Sequence, residues 1–171
     1  TYYLYDDLDN LRCVIQPEGV KQLEANSWSF TNTVGKNILK EQCFRYEYDS
    51  RNRMIIKQVP GAGPVYMVYD NRDRLVMTQD SLMRVSHRWL TTHYDNLNRA
   101  DTTWLYSSSA SLTSILTAAA DTSKYPYTAP SSAAILTETH YDDYTKLPTG
   151  LSSSYLGSWA SYFDATSTTS F

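Results

Sequence analysis

Tyr48-Asp49-Ser50-Arg51-Asn52-Arg53-Met54 decides the fold, because it holds what is needed to reverse a chain between two strands. Upstream, Tyr46-Glu47-Tyr48 alternates so that both tyrosines share one face of an extended segment, and downstream Met54-Ile55-Ile56 supplies an apolar outgoing strand. Between them, Asp49 can accept the backbone N–H two residues on and fix a type I turn, while Asn52 tolerates left-handed backbone better than most residues. A type I turn closed by one left-handed residue is a common hairpin connection, whose bulge keeps the twist of the two strands compatible. The phrase reads as the tip of a β-hairpin.

The phrase recurs. YDDLDNL at 5–11, YDNRDRL at 69–75, YDNLNRA at 94–100 and YDDYTKL at 141–147 bring the total to five. Each copy opens on a Tyr-Asp pair (Tyr5-Asp6, Tyr48-Asp49, Tyr69-Asp70, Tyr94-Asp95, Tyr141-Asp142), and its fifth position is Asp9, Asn52, Asp73, Asn98 or Thr145. Asn or Asp thus stands at the left-handed position in every copy but the last. Tyr48 to Tyr69 and Tyr69 to Tyr94 are short intervals, and Tyr5 to Tyr48 and Tyr94 to Tyr141 about twice as long, which points to a unit of roughly 20–25 residues with insertions or degenerate copies in the wide gaps. Pro17 and Pro60 end outgoing strands, since proline cannot donate to a ladder, and Gly19, Gly61 and Gly63 let the chain reverse.

The first wide gap, 17–40, begins Pro17-Glu18-Gly19-Val20-Lys21-Gln22-Leu23. Proline at a helix start, acid behind it, and Val20 and Leu23 at helical spacing predict one short helix. The second gap, 107–137, is rich in Ser, Thr and Ala and reads as a surface loop or insertion with a helical turn or two around Leu112–Ala120. The tail from 151 to 171 is similar in composition, but Tyr155, Leu156, Trp159, Tyr162 and Phe163 give it enough to bury to continue a sheet. The expected fold is all-β: consecutive antiparallel β-hairpins forming one curved or spiralling sheet. Its array spans 1–106, interrupted at about 17–40, followed by the insertion at 107–137 and a weaker copy with the tail at 138–171.

Fifteen tyrosines in 171 residues suit half-buried strand faces. A formal charge of −3 offers no general attraction to phosphate or anionic lipid, so neither nucleic acid nor a membrane is an expected partner. The basic excess at 40–99 is read as chemistry of the turns, not as a binding patch. No apolar run reaches the ~18 residues of a membrane-spanning helix, and the start lacks the pattern of a signal peptide. Thr1 falls inside a strand-like stretch, so the chain reads as an internal excerpt of a longer protein. Cys13 and Cys43 are too few for a disulfide framework and read as buried free thiols; a bridge between them stays open, because sequence does not fix their distance.

No catalytic constellation emerges. His87, His93 and His140 form no HExxH or His/Cys cluster and read as structural or surface residues. Asp6-Asp7-Leu8-Asp9-Asn10 lacks the Gly and the terminal Glu of an EF-hand loop, Gly61-Ala62-Gly63-Pro64 lacks the Lys-Ser/Thr of a phosphate loop, and no G-x-S-x-G occurs. Neither catalysis nor a metal or cofactor is expected. The Asp–Arg pairs inside the turns, such as Asp70 with Arg72 or Arg74, read as exposed ion pairs worth about 0–1 kcal/mol. Exposed Tyr and Trp, with Trp89, Trp104 and Trp159 foremost, offer flat faces to sugar rings; the competing reading is strand packing.

The repeated Y-D-x-x-[N/D]-R-L phrase, with Tyr two residues upstream and P-x-G or P-G-x-G downstream, resembles the YD-repeat family, also called Rhs repeats. The run from Phe44-Arg45-Tyr46 through Val59-Pro60-Gly61-Ala62-Gly63 to Tyr66-Met67-Val68-Tyr69-Asp70 is similar in particular to Rhs-type surface proteins of the Bacteroidetes lineage. The likeness covers about residues 1–100 well and 137–147 weakly, and the family's usual turn Gly is replaced by Asn, Asp or Thr. It implies a ribbon of hairpins spiralling into a hollow shell. In bacterial Rhs proteins and insecticidal toxin complexes the shell encloses a C-terminal toxin; in teneurins it forms part of an adhesion receptor. By that resemblance the chain is a structural segment, not an enzyme, of a secreted or cell-surface protein. Its implied partners are the remaining repeats of the parent chain and an enclosed toxin domain. An adhesive or carbohydrate-binding module, with glycans as partners, is the alternative. Neither the self-cleaving aspartyl-protease-like motif of the bacterial shells nor a toxin domain is recognisable in the 171 residues.

Overall fold

A computed structural model describes residues 1–120 and 134–141. Among the described residues, nine strands pair in chain order into one antiparallel sheet, with no crossover. They are β1 (Tyr2–Tyr5), β2 (Leu11–Ile15), β3 (Cys43–Tyr48), β4 (Met54–Gln58), β5 (Val65–Tyr69), β6 (Leu75–Gln79), β7 (Arg88–Tyr94), β8 (Ala100–Ser107) and β9 (Ile135–Glu138). The phrases at 5–11, 48–54, 69–75 and 94–100 are the β1–β2, β3–β4, β5–β6 and β7–β8 connections. All four tips therefore lie at the same end of the sheet. Just past each tip the register shifts by one residue, the signature of a bulge that increases local twist.

Among the described residues, four helices interrupt the meander: α1 (Pro17–Ala25) and α2 (Thr33–Glu41) between β2 and β3, α3 (Ser81–Val85) between β6 and β7, and α4 (Leu112–Ala120) between β8 and β9. α1 starts on Pro17, where the missing N–H costs nothing. The single helix expected in 17–40 is joined by a second, α2, whose Asn32 side chain caps the Gly35 N–H at 2.7 Å. In the Ser/Thr/Ala-rich gap the helical turn expected around Leu112–Ala120 is a nine-residue helix, and β9 extends the sheet beyond the array boundary set at 106. Residues 121–133 and the tail from 151 to 171 lie outside the described residues.

Pairing partners share a face of the sheet, and the pairs Ile15–Cys43, Val68–Met77, Met77–Thr91 and Trp89–Tyr106 mark the face on which the helices pack. Near β2 and β3, Cys13, Ile15 and Cys43 form one core with Leu23 of α1 and Ile38 of α2. Across β5–β7, Val68, Val76, Met77 and Trp89 form a second core with Ile115 and Ala119 of α4. Burying apolar side chains at about 25 cal/mol per Å² makes these two clusters the main cohesive terms of the fold. Between them the same face is polar but satisfied at its amides: Arg45 donates to Gln58, whose Nε2 donates to the Ala62 carbonyl at 2.8 Å. Trp89 and Trp104, considered above as sugar platforms, are 1% and 3% exposed, so that role is excluded for both.

Candidate functional site

The described turns share one construction. In each, the amide of the phrase Asp donates to the carbonyl four residues on, and the left-handed residue donates back to the Asp carbonyl: Asp49 N to Arg53 O and Asn52 N to Asp49 O are both 3.0 Å. Asp9, Asn52, Asp73 and Asn98 hold φ of 60°, 58°, 62° and 63°. One carboxylate oxygen of the Asp accepts two backbone N–H groups. For Asp6 these are Leu8 and Asn10, for Asp49 Arg51 and Arg53, for Asp70 Arg72 and Arg74, and for Asp95 Leu97 and Arg99, at 2.8–3.0 Å. The other oxygen takes the guanidinium of the sixth residue, with Nε of Arg53, Arg74 and Arg99 at 2.8, 2.8 and 2.7 Å. In the first turn Asn10 stands where the others have Arg, and its amide reaches Asp6 at 3.3 Å.

The sixth residue also reaches the following turn. Arg53 donates to the Asp70 carbonyl and to Asp73, both at 2.9 Å, and lies over the Tyr69 ring at 5.1 Å; Arg51 joins it on Asp73 at 2.9 Å. Arg74 donates to Asn98 at 3.1 Å and lies over Tyr94 at 4.9 Å, and Arg99 lies over Tyr141 at 4.3 Å. Asn10 makes the shorter version of the link, to Asn52 at 3.2 Å. Three of the phrase tyrosines answer by donating their hydroxyls backwards: Tyr48 to the Leu11 carbonyl at 3.1 Å, Tyr94 to Leu75 at 2.9 Å, Tyr141 to Ala100 at 2.6 Å. Tyr5, with 58% exposure on β1, has no turn before it among the described residues, and Asp142 lies outside them.

Electrostatics follow from the contacts. Burial alone raises the carboxyl pKa of Asp6 and Asp49, but backbone N–H donors and, for Asp49, the Arg53 guanidinium outweigh it, so both sit below the ordinary range. Asp95 is lowered chiefly by the Arg99 N–H. Burial raises the phenols of Tyr48, Tyr69 and Tyr94. The Asp70–Arg74 pair corrects the expectation of exposed ion pairs: it closes to 2.6 Å with side chains 5% and 12% exposed, because the turns on either side shield it from water.

What sequence reasoning missed is the role of Arg53, Arg74 and Arg99 as links between turns. The signal was present in the recurrence of Arg at the sixth position, but a lone hairpin explains it equally well by the local Asp pair. The histidines stand apart from one another: His93 Nδ1 meets Asp101 at 2.6 Å and His140 Nε2 meets Glu138 at 3.3 Å. Chemically the stack is cohesive: the carboxylates of Asp6, Asp49, Asp70 and Asp95 are taken up by N–H donors, and the guanidiniums of Arg53, Arg74 and Arg99 by carboxylates, carbonyls, a side-chain amide or ring faces. Scanned against protein-family models, the chain matches none, and a search of curated proteins finds no match either.

Proposed function

We propose that the chain is a structural segment of a YD-repeat, Rhs-type shell wall, in a secreted or cell-surface parent whose further hairpins continue the sheet and whose curved wall encloses a toxin domain. The observation that supports it most is the direction of the turn contacts. Every described turn gives a side chain to its successor and receives a tyrosine hydroxyl or ring in return, from Asn10 and Leu11 through Arg53 and Arg74 to Arg99 and Tyr141. A directional link of this kind can be repeated without limit, as in proteins whose units bury their surfaces only against neighbours. The adhesive alternative is weakened, since Trp89 and Trp104 are packed inside and Trp159 lies outside the described residues.

The test uses the isolated 171-residue chain. On the shell reading its β1 edge, exposed along all four residues, is a surface meant for another hairpin. Sedimentation velocity at rising concentration is expected to show self-association. A chain that stays monomeric throughout and unfolds cooperatively at high temperature overturns the proposal.

A further inference from the structure

The core beneath α1 and α2 contains the molecule's two thiols. Cys13 of β2 stands directly opposite Arg45 of β3, and Cys43 stands opposite Ile15, so the cysteines form a diagonal pair across adjacent antiparallel strands. Both side chains are reduced, with Cys13 7% and Cys43 0% exposed. The pairing is not a generic apolar contact, because a guanidinium sits on the same face, and Arg45 Nε is buried without a hydrogen-bond partner among the described residues. An anion on Cys13 is an acceptor suited to that donor.

We propose that Cys13 and Cys43 are a redox site, oxidised by a small-molecule disulfide to an intramolecular bridge that pins β2 to β3 beneath the two-helix insertion. Three features assign the roles. Cys13 is the more exposed residue of the two, it stands opposite Arg45, and Cys43 is fully buried. The protonation pattern agrees. The hydrogen bond from the Cys43 thiol lowers the Cys13 pKa, with Arg45 adding to the effect against burial, while that same contact and burial raise Cys43.

The chemistry balances as two exchanges. The Cys13 thiolate attacks one sulfur of the external disulfide, forming a mixed disulfide and expelling one thiolate, which takes up a proton. Cys43 then loses its proton to solvent and attacks the Cys13 sulfur, expelling the second thiol. Two protein thiols and one external disulfide become one protein disulfide and two external thiols. A diagonal pair stands about 7–8 Å apart, beyond the roughly 4.4–6.8 Å Cα separation that a disulfide spans, so closure requires β2 and β3 to move together locally. The loop it closes contains the whole of α1 and α2.

The experiment incubates the folded, reduced 171-residue chain with oxidised glutathione, quenches with acid, and reads intact mass and a peptide map. The expected product has lost two hydrogens, retains no glutathione, links the Cys13 and Cys43 peptides, and remains a monomer on a non-reducing gel. Cys43→Ser is expected to hold a stable glutathione adduct on Cys13, and Cys13→Ser to gain one about tenfold more slowly, because its remaining thiol is buried. Circular dichroism checks that each variant is folded, and the wild-type result stands without them. Thiols that remain free in the folded chain, a wild type that keeps the adduct, or cross-linked dimers would each overturn the proposal.

Discussion

How much a phrase Asp contributes depends on how dry its turn is. The Asp70–Arg74 side chains are 5% and 12% exposed, against 20% and 34% for Asp95–Arg99. Asp70→Ala leaves the Arg74 guanidinium and two turn N–H groups without their acceptor where water reaches poorly, so a loss of about 3–5 kcal/mol is expected from urea unfolding. Asp70→Asn keeps an oxygen for the Arg72 and Arg74 amides and loses only the ion pair, a cost of about 1–3 kcal/mol. Equal losses for the two variants would show that the ion pair carries the whole effect and the retained oxygen none; no loss in Asp70→Asn would show that the charge contributes nothing. Acid titrates the neighbouring turns. The folded-state pKa values of Asp6, Asp49 and Asp95 lie below the unfolded value of about 3.9, so in that window the unfolded chain binds more protons and stability rises with pH. Their contribution is complete above the unfolded value and is lost as pH falls through the folded values. Tyr69 and Tyr94 act in the opposite sense, because the folded state holds their protons longer and stability falls as pH rises past about 10. Urea midpoints measured across pH are expected to form a plateau with a falling limb on each side; an acid limb that stays flat below about pH 4 would mean the turns do not hold these carboxylates ionised. Asp and the left-handed Asn or Asp are legible at this scale because a turn is a local object. The dryness of the Asp70 pair is not, since it depends on the turns stacked on either side.

At the scale of elements, the same division between local and tertiary causes decides what the sequence discloses. α1 is legible from Pro17 and the Val20–Leu23 spacing, and the strands from Tyr-rich alternation. α2 is hidden, because Gly35 and Asn37 are poor helix formers in its interior. The reason for Gly35 is a close approach: a Cβ there would stand 2.1 Å from the Ser29 carbonyl oxygen and 2.7 Å from Phe30 Cα, both backbone atoms that yield only if the loop moves. Gly35→Ala is therefore expected to destabilise by about 1–3 kcal/mol despite the better helix propensity of Ala. Thermal or urea unfolding checks the sign: a stabilised variant would mean that the 29–30 backbone gives way freely. Alternation likewise cannot say which face of a strand is covered. Trp89 and Thr91 share the face of β7 on which α4 packs, and only the packing of Ile115 and Ala119 shows that this tryptophan is core and not a platform.

At the scale of the molecule, the described residues form two cores on one sheet, and the weakest join is where the cores meet. The first core ends at Cys43 on β3 and the second begins at Val68 on β5, so β4 and β5 meet between them, with only Ile56–Tyr66 and Lys57–Val65 in register. The β6–β7 join is equally short, but Met77 and Trp89 carry the second core across it. No comparable apolar cluster crosses β4–β5 among the described residues. What spans it at the turn end is the pair Arg51 and Arg53, reaching Asp73, the Asp70 carbonyl and the Tyr69 ring. The turn stack thus acts as a clamp on a sheet that lacks core at this point, and Arg53→Ala should open it locally instead of lowering stability everywhere. Native-state hydrogen exchange distinguishes the two cases. The amides of Ile56, Lys57, Val65 and Tyr66 are expected to exchange about 10–100-fold faster in the variant, while those of Val68 and Trp89, inside the second core, change much less. If all of these amides accelerate by the same factor, the sheet unfolds as one unit and the clamp is not what joins its halves.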